Sequence, residues 1–149
     1  QSTPDGLMAT VWSSAGDAAA DRADLRRPLT LRERVEAAAA AGFVGFGLLS
    51  DDLPAAVADY GLPGIRTLLA DNGMVHLELE SIPHWWDDGE RRVESERVRR
   101  MLLEAAEVLA PRHLKVTPDG DNLPWDRGLW AARFAELAAQ RLRQPAGPA

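Results

Sequence analysis

Met74-Val75-His76-Leu77-Glu78-Leu79-Glu80-Ser81 alternates residue by residue, with Val75, Leu77 and Leu79 on one parity and His76, Glu78 and Glu80 on the other. A β-strand sends successive side chains to opposite faces. One face of this strand is therefore apolar, and the other carries two carboxylates and an imidazole. Helical patterns lie before and after it, which predicts a parallel strand covered on its apolar face. The polar row must then point somewhere wet, and the lumen of a barrel is the natural place.

Upstream, residues 43–49 (FVGFGLL) form a short uncharged run, as expected of a strand buried on both faces. Gly45 and Gly47 share a parity and leave room where another backbone or a ligand comes close. Between the two strands, Asp51-Asp52-Leu53-Pro54 opens a helix with an acidic cap and a proline in its first turn. Gly61-Leu62-Pro63-Gly64 breaks it, and residues 62–72 supply a second helical piece ended by Gly73. Further back, Thr30-Leu31-Arg32-Glu33 is a capping box. Leu31, Val35, Ala38 and Ala39 form the apolar stripe of that helix, and Gly42 suits its C-terminal end. Residues 7–14 (LMATVWSS) read as a first strand, and residues 16–27 as a polar loop.

Downstream comes a loop at 83–89 (PHWWDDG), then a helix over 90–110 with Val98, Met101, Leu102, Ala105 and Leu109 at helical spacing. Pro111 ends it. Residues 113–117 (HLKVT) make a fourth strand, with Leu114 and Val116 opposed to His113, Lys115 and Thr117. A polar loop at 118–125 leads to Asp126, which caps a last helix reaching about 143. Trp130, Phe134, Leu137 and Ala138 are its expected buried side, and residues 144–149 are an expected frayed tail. Strands alternating with helices give an α/β fold of parallel βα repeats with right-handed crossovers. Two architectures fit: a doubly wound open sheet, or half of an eight-unit barrel.

The chain of 149 residues is expected to form one domain, and its 46% hydrophobic and 27% charged residues suit a globular protein. A net charge of -6 supplies no field for phosphate backbones, so nucleic acid is not an expected partner. The absence of cysteine removes disulfides, thiol nucleophiles and thiolate metal sites, and suits a reducing cytoplasm. No apolar run approaches the roughly 20 residues that span a bilayer, so no membrane partner is expected. No signal peptide is recognisable at the start, and position 1 is not Met, which suggests a processed or truncated beginning.

The chain resembles the first half of the sugar phosphate isomerase/epimerase family, the xylose-isomerase-like TIM barrels. Four pieces carry the resemblance. They are the opening strand with residues 31–47 (LRERVEAAAAAGFVGFG), Leu77-Glu78-Leu79-Glu80 with its Trp85-Trp86 loop, residues 110–116 (APRHLKV) closing the long helix, and residues 134–139 (FAELAA). The match spans about residues 7–140. It implies a partial (βα)8 barrel of about four units, and an enzyme moving a proton on a sugar or polyol. It also implies a divalent metal (Mg, Mn or Zn), whose ligands in the family lie mostly on later strands and so outside this chain. Dehydratase chemistry belongs to the same resemblance, and the acidic charge argues against a nuclease. A half-barrel has two unpaired edges, which proteins normally avoid. A partial chain is the favoured explanation; two copies pairing as a homo-oligomer, and a relaxed open sheet, are the others. A non-catalytic truncated barrel that pairs through its edges is the alternative to the enzyme, and a flavodoxin-like binding module is a third, weaker expectation.

Active sites of such barrels lie at the C-terminal ends of the strands. Glu80 sits nearest that end and is the candidate catalytic base, metal-shell carboxylate or hydroxyl acceptor. Glu78 and Lys115 are candidate substrate contacts from the same lumen. Their ordinary alternative is scaffolding, with both glutamates paired to Lys115, and it is preferred for Glu78 and Lys115. His84 lies in the rim loop, where histidines meet substrate hydroxyls or metal, although ordinary loop chemistry is preferred. Trp85 and Trp86 are either a stacking platform for a sugar ring or a plug over the barrel mouth, and Trp12 lies on the same rim. His76 and His113 begin their strands, on the stability face, and are set aside. No HxH or HExxH pattern occurs, so a metal centre is not legible in these residues. Asp119, Asp121 and Asn122 flank Gly120 as turn formers do. Arg91, Arg92, Arg97, Arg99 and Arg100 alternate with glutamates as on a solvated helix face.

Overall fold

A computed structural model describes residues 6–18, 27–117 and 126–139. The expected loop at 118–125, the helix beyond Ala139 and the tail at 144–149 lie outside the described residues. Four parallel strands form one sheet: β1 (Met8–Ala9), β2 (Gly45–Leu49), β3 (His76–Ile82) and β4 (His113–Val116). Four helices alternate with them: α1 (Leu31–Ala40), α2 (Leu53–Asp71), α3 (Glu90–Leu109) and α4 (Arg127–Ala139). The strands lie in the order β1-β2-β3-β4, without the reversal that a doubly wound sheet requires. Right-handed crossovers in that order stack the intervening helices on one face.

The core lies under that face. Phe46 is paired with Leu77 and Leu48 with Leu79, and all four sit among Val35 of α1, Ile65 of α2 and Leu102 of α3. Burying side chains of this size yields about 1.5–3 kcal/mol each. Two helices start on the caps their sequences supply, whereas Asp52 precedes α2 without a side-chain cap bond, its carboxylate being turned to Arg34 and Arg27. Thr30 accepts from the Glu33 amide while Glu33 reaches back to the Thr30 amide, so α1 starts on a complete capping box. Asp126 accepts from the Leu129 amide at 2.6 Å and caps α4. Gly61 takes φ 64° inside α2 and kinks it at the expected break.

Three expectations need correction. Residues 7–14 are not one strand: β1 lasts only for Met8–Ala9, and Val11–Ser14 close into a 3-10 turn. Val75 precedes β3 and is exposed instead of joining its apolar face. Phe134 is 53% exposed, and no residue of α4 is fully buried. The helix packs on the core through Trp130 and Leu137, while the Phe134 ring lies 5.8 Å from that of Trp85 and Arg133 pairs with Asp88. No helix among the described residues is long and apolar enough to cross a membrane.

Candidate functional site

Gly47 decides the geometry of the face opposite the helices. A Cβ there would lie 2.7 Å from the Val11 nitrogen, so only glycine lets the chain leaving β1 cross over β2. The 3-10 turn settles on that gap, and Val11 becomes fully buried outside the helix-side core. Its amide then points at the Glu80 carboxylate, with Oε1 at 3.4 Å. A covered carboxylate is the result: Glu80 is 1% exposed and Glu78 5%.

Register assembles the rest. Glu78 pairs with His113, and Glu80 with Lys115, across the β3–β4 ladder. Lys115 Nζ lies 2.7 Å from Glu80 Oε2 and 3.7 Å from Glu78 Oε1. His113 Nε2 lies 2.5 Å from Glu78 Oε2. Two buried carboxylates thus alternate with an ammonium and an imidazole that both reach solvent. The hydrogen bond to Glu80 raises the Lys115 pKa above its ordinary value against the opposing pull of burial. Lys115 is therefore a fixed cation at neutral pH and not a nucleophilic amine.

At the C-terminal end, the ladder runs into hydroxyl groups. Ser81 Oγ and Thr117 Oγ1 are 2.9 Å apart, and Ser50 Oγ donates to the Ser81 carbonyl at 3.0 Å. The Ser50 amide donates to the Glu80 carbonyl. Such an arrangement can hold a polyol by hydroxyl exchange, and it offers a carboxylate and a cation side by side for proton transfer. It does not fit a divalent ion. The gap between the two carboxylates holds the Lys115 ammonium, and no group of three or more His, Asp or Glu side chains among the described residues can hold a metal.

The expected aromatic residues lie elsewhere. Trp85 is buried in the helix-side core, with its Nε1 donating to the Thr117 carbonyl at 3.2 Å. Its ring meets Trp86 at 5.2 Å and Trp130 at 4.7 Å. Trp85 is a plug that seats α4, and Trp86 is half-buried beside it. Trp12 lies in the 3-10 turn under the Arg27 guanidinium, 4.6 Å from the ring centre. His84 faces Asp87 within its own loop, at 3.7 Å. Glu78, Glu80 and Lys115 come together; Trp12, His84, Trp85 and Trp86 do not join them.

Two features escape a reading by strand ends and apolar stripes. His113, set aside as a strand-start residue, shares parity with Lys115, and that spacing was the available signal. Arg34 sits at the same helical spacing as Leu31, Val35 and Ala38, which marks a buried position, and it is 2% exposed. It donates to Asp52 Oδ2 at 3.0 Å, and Arg27 Nε lies 3.3 Å from the same oxygen. No protein-family model matches the chain, and no curated protein matches it in sequence.

Proposed function

We propose that the chain is a sugar phosphate isomerase/epimerase-like enzyme, or part of one, that moves a proton on a sugar or polyol. Its four βα units are consecutive units of a (βα)8 barrel, and the ladder face is the side turned to the lumen. One observation carries this reading. Two carboxylates are buried side by side on the helix-free face of a parallel sheet, with one lysine between them. The sequential strand order supports it further, since a barrel winds in that way.

In this reading Glu80 takes the proton from a carbon or hydroxyl of the substrate. Lys115, held in its charged form, stabilises the oxyanion that develops as the proton leaves. Ser81 and Thr117 meet the substrate hydroxyls. A divalent ion belongs to the proposal only through the family resemblance, with ligands outside the described residues, and no step above passes through one.

The test is exchange of solvent deuterium into aldoses, ketoses, their phosphates and polyols, followed by NMR. Incorporation that drops about 10²–10⁴-fold in Glu80→Gln supports the assignment. Absence of binding and of exchange with every sugar, phosphate and polyol overturns it. A second reading is favoured by the edges: β1 and β4 are each paired on one side only among the described strands. A non-catalytic barrel segment that pairs there with a second copy or a partner would use the ladder as scaffold, and light scattering of the intact chain tests it.

A further inference from the structure

A cavity of about 770 Å³ opens at the C-terminal end of β2, between the first turns of α1 and α2, outside the ladder. That volume falls within the roughly 300–1,000 Å³ of small-molecule sites. Its inner wall is apolar, formed by Leu31, Leu48 and Ala56. Arg34, at the fourth position of α1, is one of the residues lining it, beside Arg27 and Asp52. Its side chain is 2% exposed, and its three nitrogens are used unequally. Nε donates to Ser14 Oγ at 3.4 Å and Nη1 to Asp52 Oδ2 at 3.0 Å, while Nη2 is buried with no hydrogen-bond partner.

A buried guanidinium nitrogen without an acceptor is costly, and native interiors seldom leave one so. Burial presses the Arg34 pKa below its ordinary value, and the nearby Asp52 carboxylate opposes that pressure. An arriving oxyanion would relieve the same strain. The positive end of α1 faces the cavity as well, through Thr30 and Leu31. Around the mouth the charges reverse: Asp17, Asp51 and Asp59 are exposed and line the opening. Those acids repel a multiply charged anion and accept hydrogen bonds from a ligand's own donors.

We propose that this cavity binds a small carboxylate that carries hydroxyl or ammonium groups, with one carboxylate oxygen on Arg34 Nη2 and the donors on the rim aspartates. The site shares no residue with the Glu78–Glu80–Lys115 ladder and stands or falls independently of the function proposed for it.

Isothermal titration of the full chain with gluconate, serine, acetate and inorganic phosphate tests the proposal. Gluconate binding identifies a hydroxy acid and serine binding an amino acid; acetate and phosphate are expected to bind at least about tenfold more weakly than whichever binds. Arg34→Met should weaken that ligand by about tenfold or more. Because Arg34 also holds Asp52, a second variant is read beside it. Ala55→Trp places a bulky ring at the exposed lip of the cavity and should abolish binding without touching the core. Asp51→Asn with Asp59→Asn should weaken binding severalfold while sparing the fold. Failure of both gluconate and serine to bind overturns the proposal. So does binding that survives Ala55→Trp, or phosphate binding as tightly as either. Glu80→Gln should leave the affinity unchanged.

Discussion

Lys115 Nζ lies 2.7 Å from Glu80 Oε2, because the β3–β4 register sets the two residues directly opposite each other. The same ammonium stands 3.7 Å from Glu78 Oε1, which is buried with no hydrogen-bond partner. One cation therefore compensates two carboxylates withdrawn from water. Lys115→Met should destabilise the fold by about 1–3 kcal/mol, less than the full loss of a wholly buried partner, because 35% of the lysine side chain is exposed. Urea denaturation checks this. Glu80→Gln added to Lys115→Met should recover part of the loss, and an unchanged midpoint in Lys115→Met would remove the lysine's compensating role.

The raised Lys115 pKa sets a pH dependence. Its stabilisation is complete below the unfolded lysine value of about 10.4 and disappears as pH rises through the higher folded value. The gap in denaturation midpoint between the native chain and Lys115→Met should stay level from neutral pH to about 10 and close above it. On the acid side, the Thr30 amide holds Glu33 below the usual carboxylate range. That contribution is present above the unfolded glutamate value and is lost as pH falls through the folded one, so Glu33→Gln, which removes the titrating group, should flatten the acid limb.

Asp52 joins two guanidiniums, Arg34 Nη1 at 3.0 Å and Arg27 Nε at 3.3 Å. Asp52→Ala strips the carboxylate from two arginines whose side chains are almost wholly buried, which should cost about 3–5 kcal/mol. Thermal melting measures it. Adding Arg34→Met should restore part of the loss, since it removes one of the two charges left behind.

Gly47→Ala forces a methyl against the Val11 nitrogen and the Thr10 backbone, neither of which can rotate away. We expect a loss of about 1–3 kcal/mol, together with faster amide exchange at Val11 as the turn lifts. Gly42 is the comparison: its φ of +86° is strained for alanine, but a Cβ there meets nothing within 4 Å. Gly42→Asn should cost only a few tenths of a kcal/mol, because asparagine tolerates that backbone.

Trp130 touches Trp85 at 4.7 Å and Trp86 at 4.8 Å, and these contacts seat a helix with no fully buried residue of its own. Trp130→Ala should release α4, seen as rapid hydrogen exchange over Arg127–Ala139 with β2 and β3 still protected. Equal loss of protection in the sheet would mean that α4 belongs to the cooperative core.

Local pattern determined much of this protein. The period of two through Leu77, Glu78, Leu79 and Glu80 was legible because alternate residues face opposite sides of a strand. The wet outlet expected for the polar side does not form: Glu78 is 5% and Glu80 1% exposed, each paired with His113 or Lys115. The Thr30–Glu33 cap was legible because both partners lie within one helical turn. Even the close approach at Gly47 could be read from its missing side chain, although not which backbone would approach. The 3-10 turn was misread because Thr10, Val11 and Trp12 favour strand as single residues, while the bond that ends the strand joins Val11 to a carboxylate 69 positions away.

Only the tertiary structure decided which charges meet. Lys115 opposite Glu80, His113 opposite Glu78 and Arg34 against Asp52 are separated by 35, 35 and 18 positions, and a one-residue slip in register would part each strand pair. Periodicity tells which side of an element a residue occupies. Its partner across the gap is set by how the elements pack, where the cost of burying a charge selects the one arrangement that supplies an opposite charge within reach.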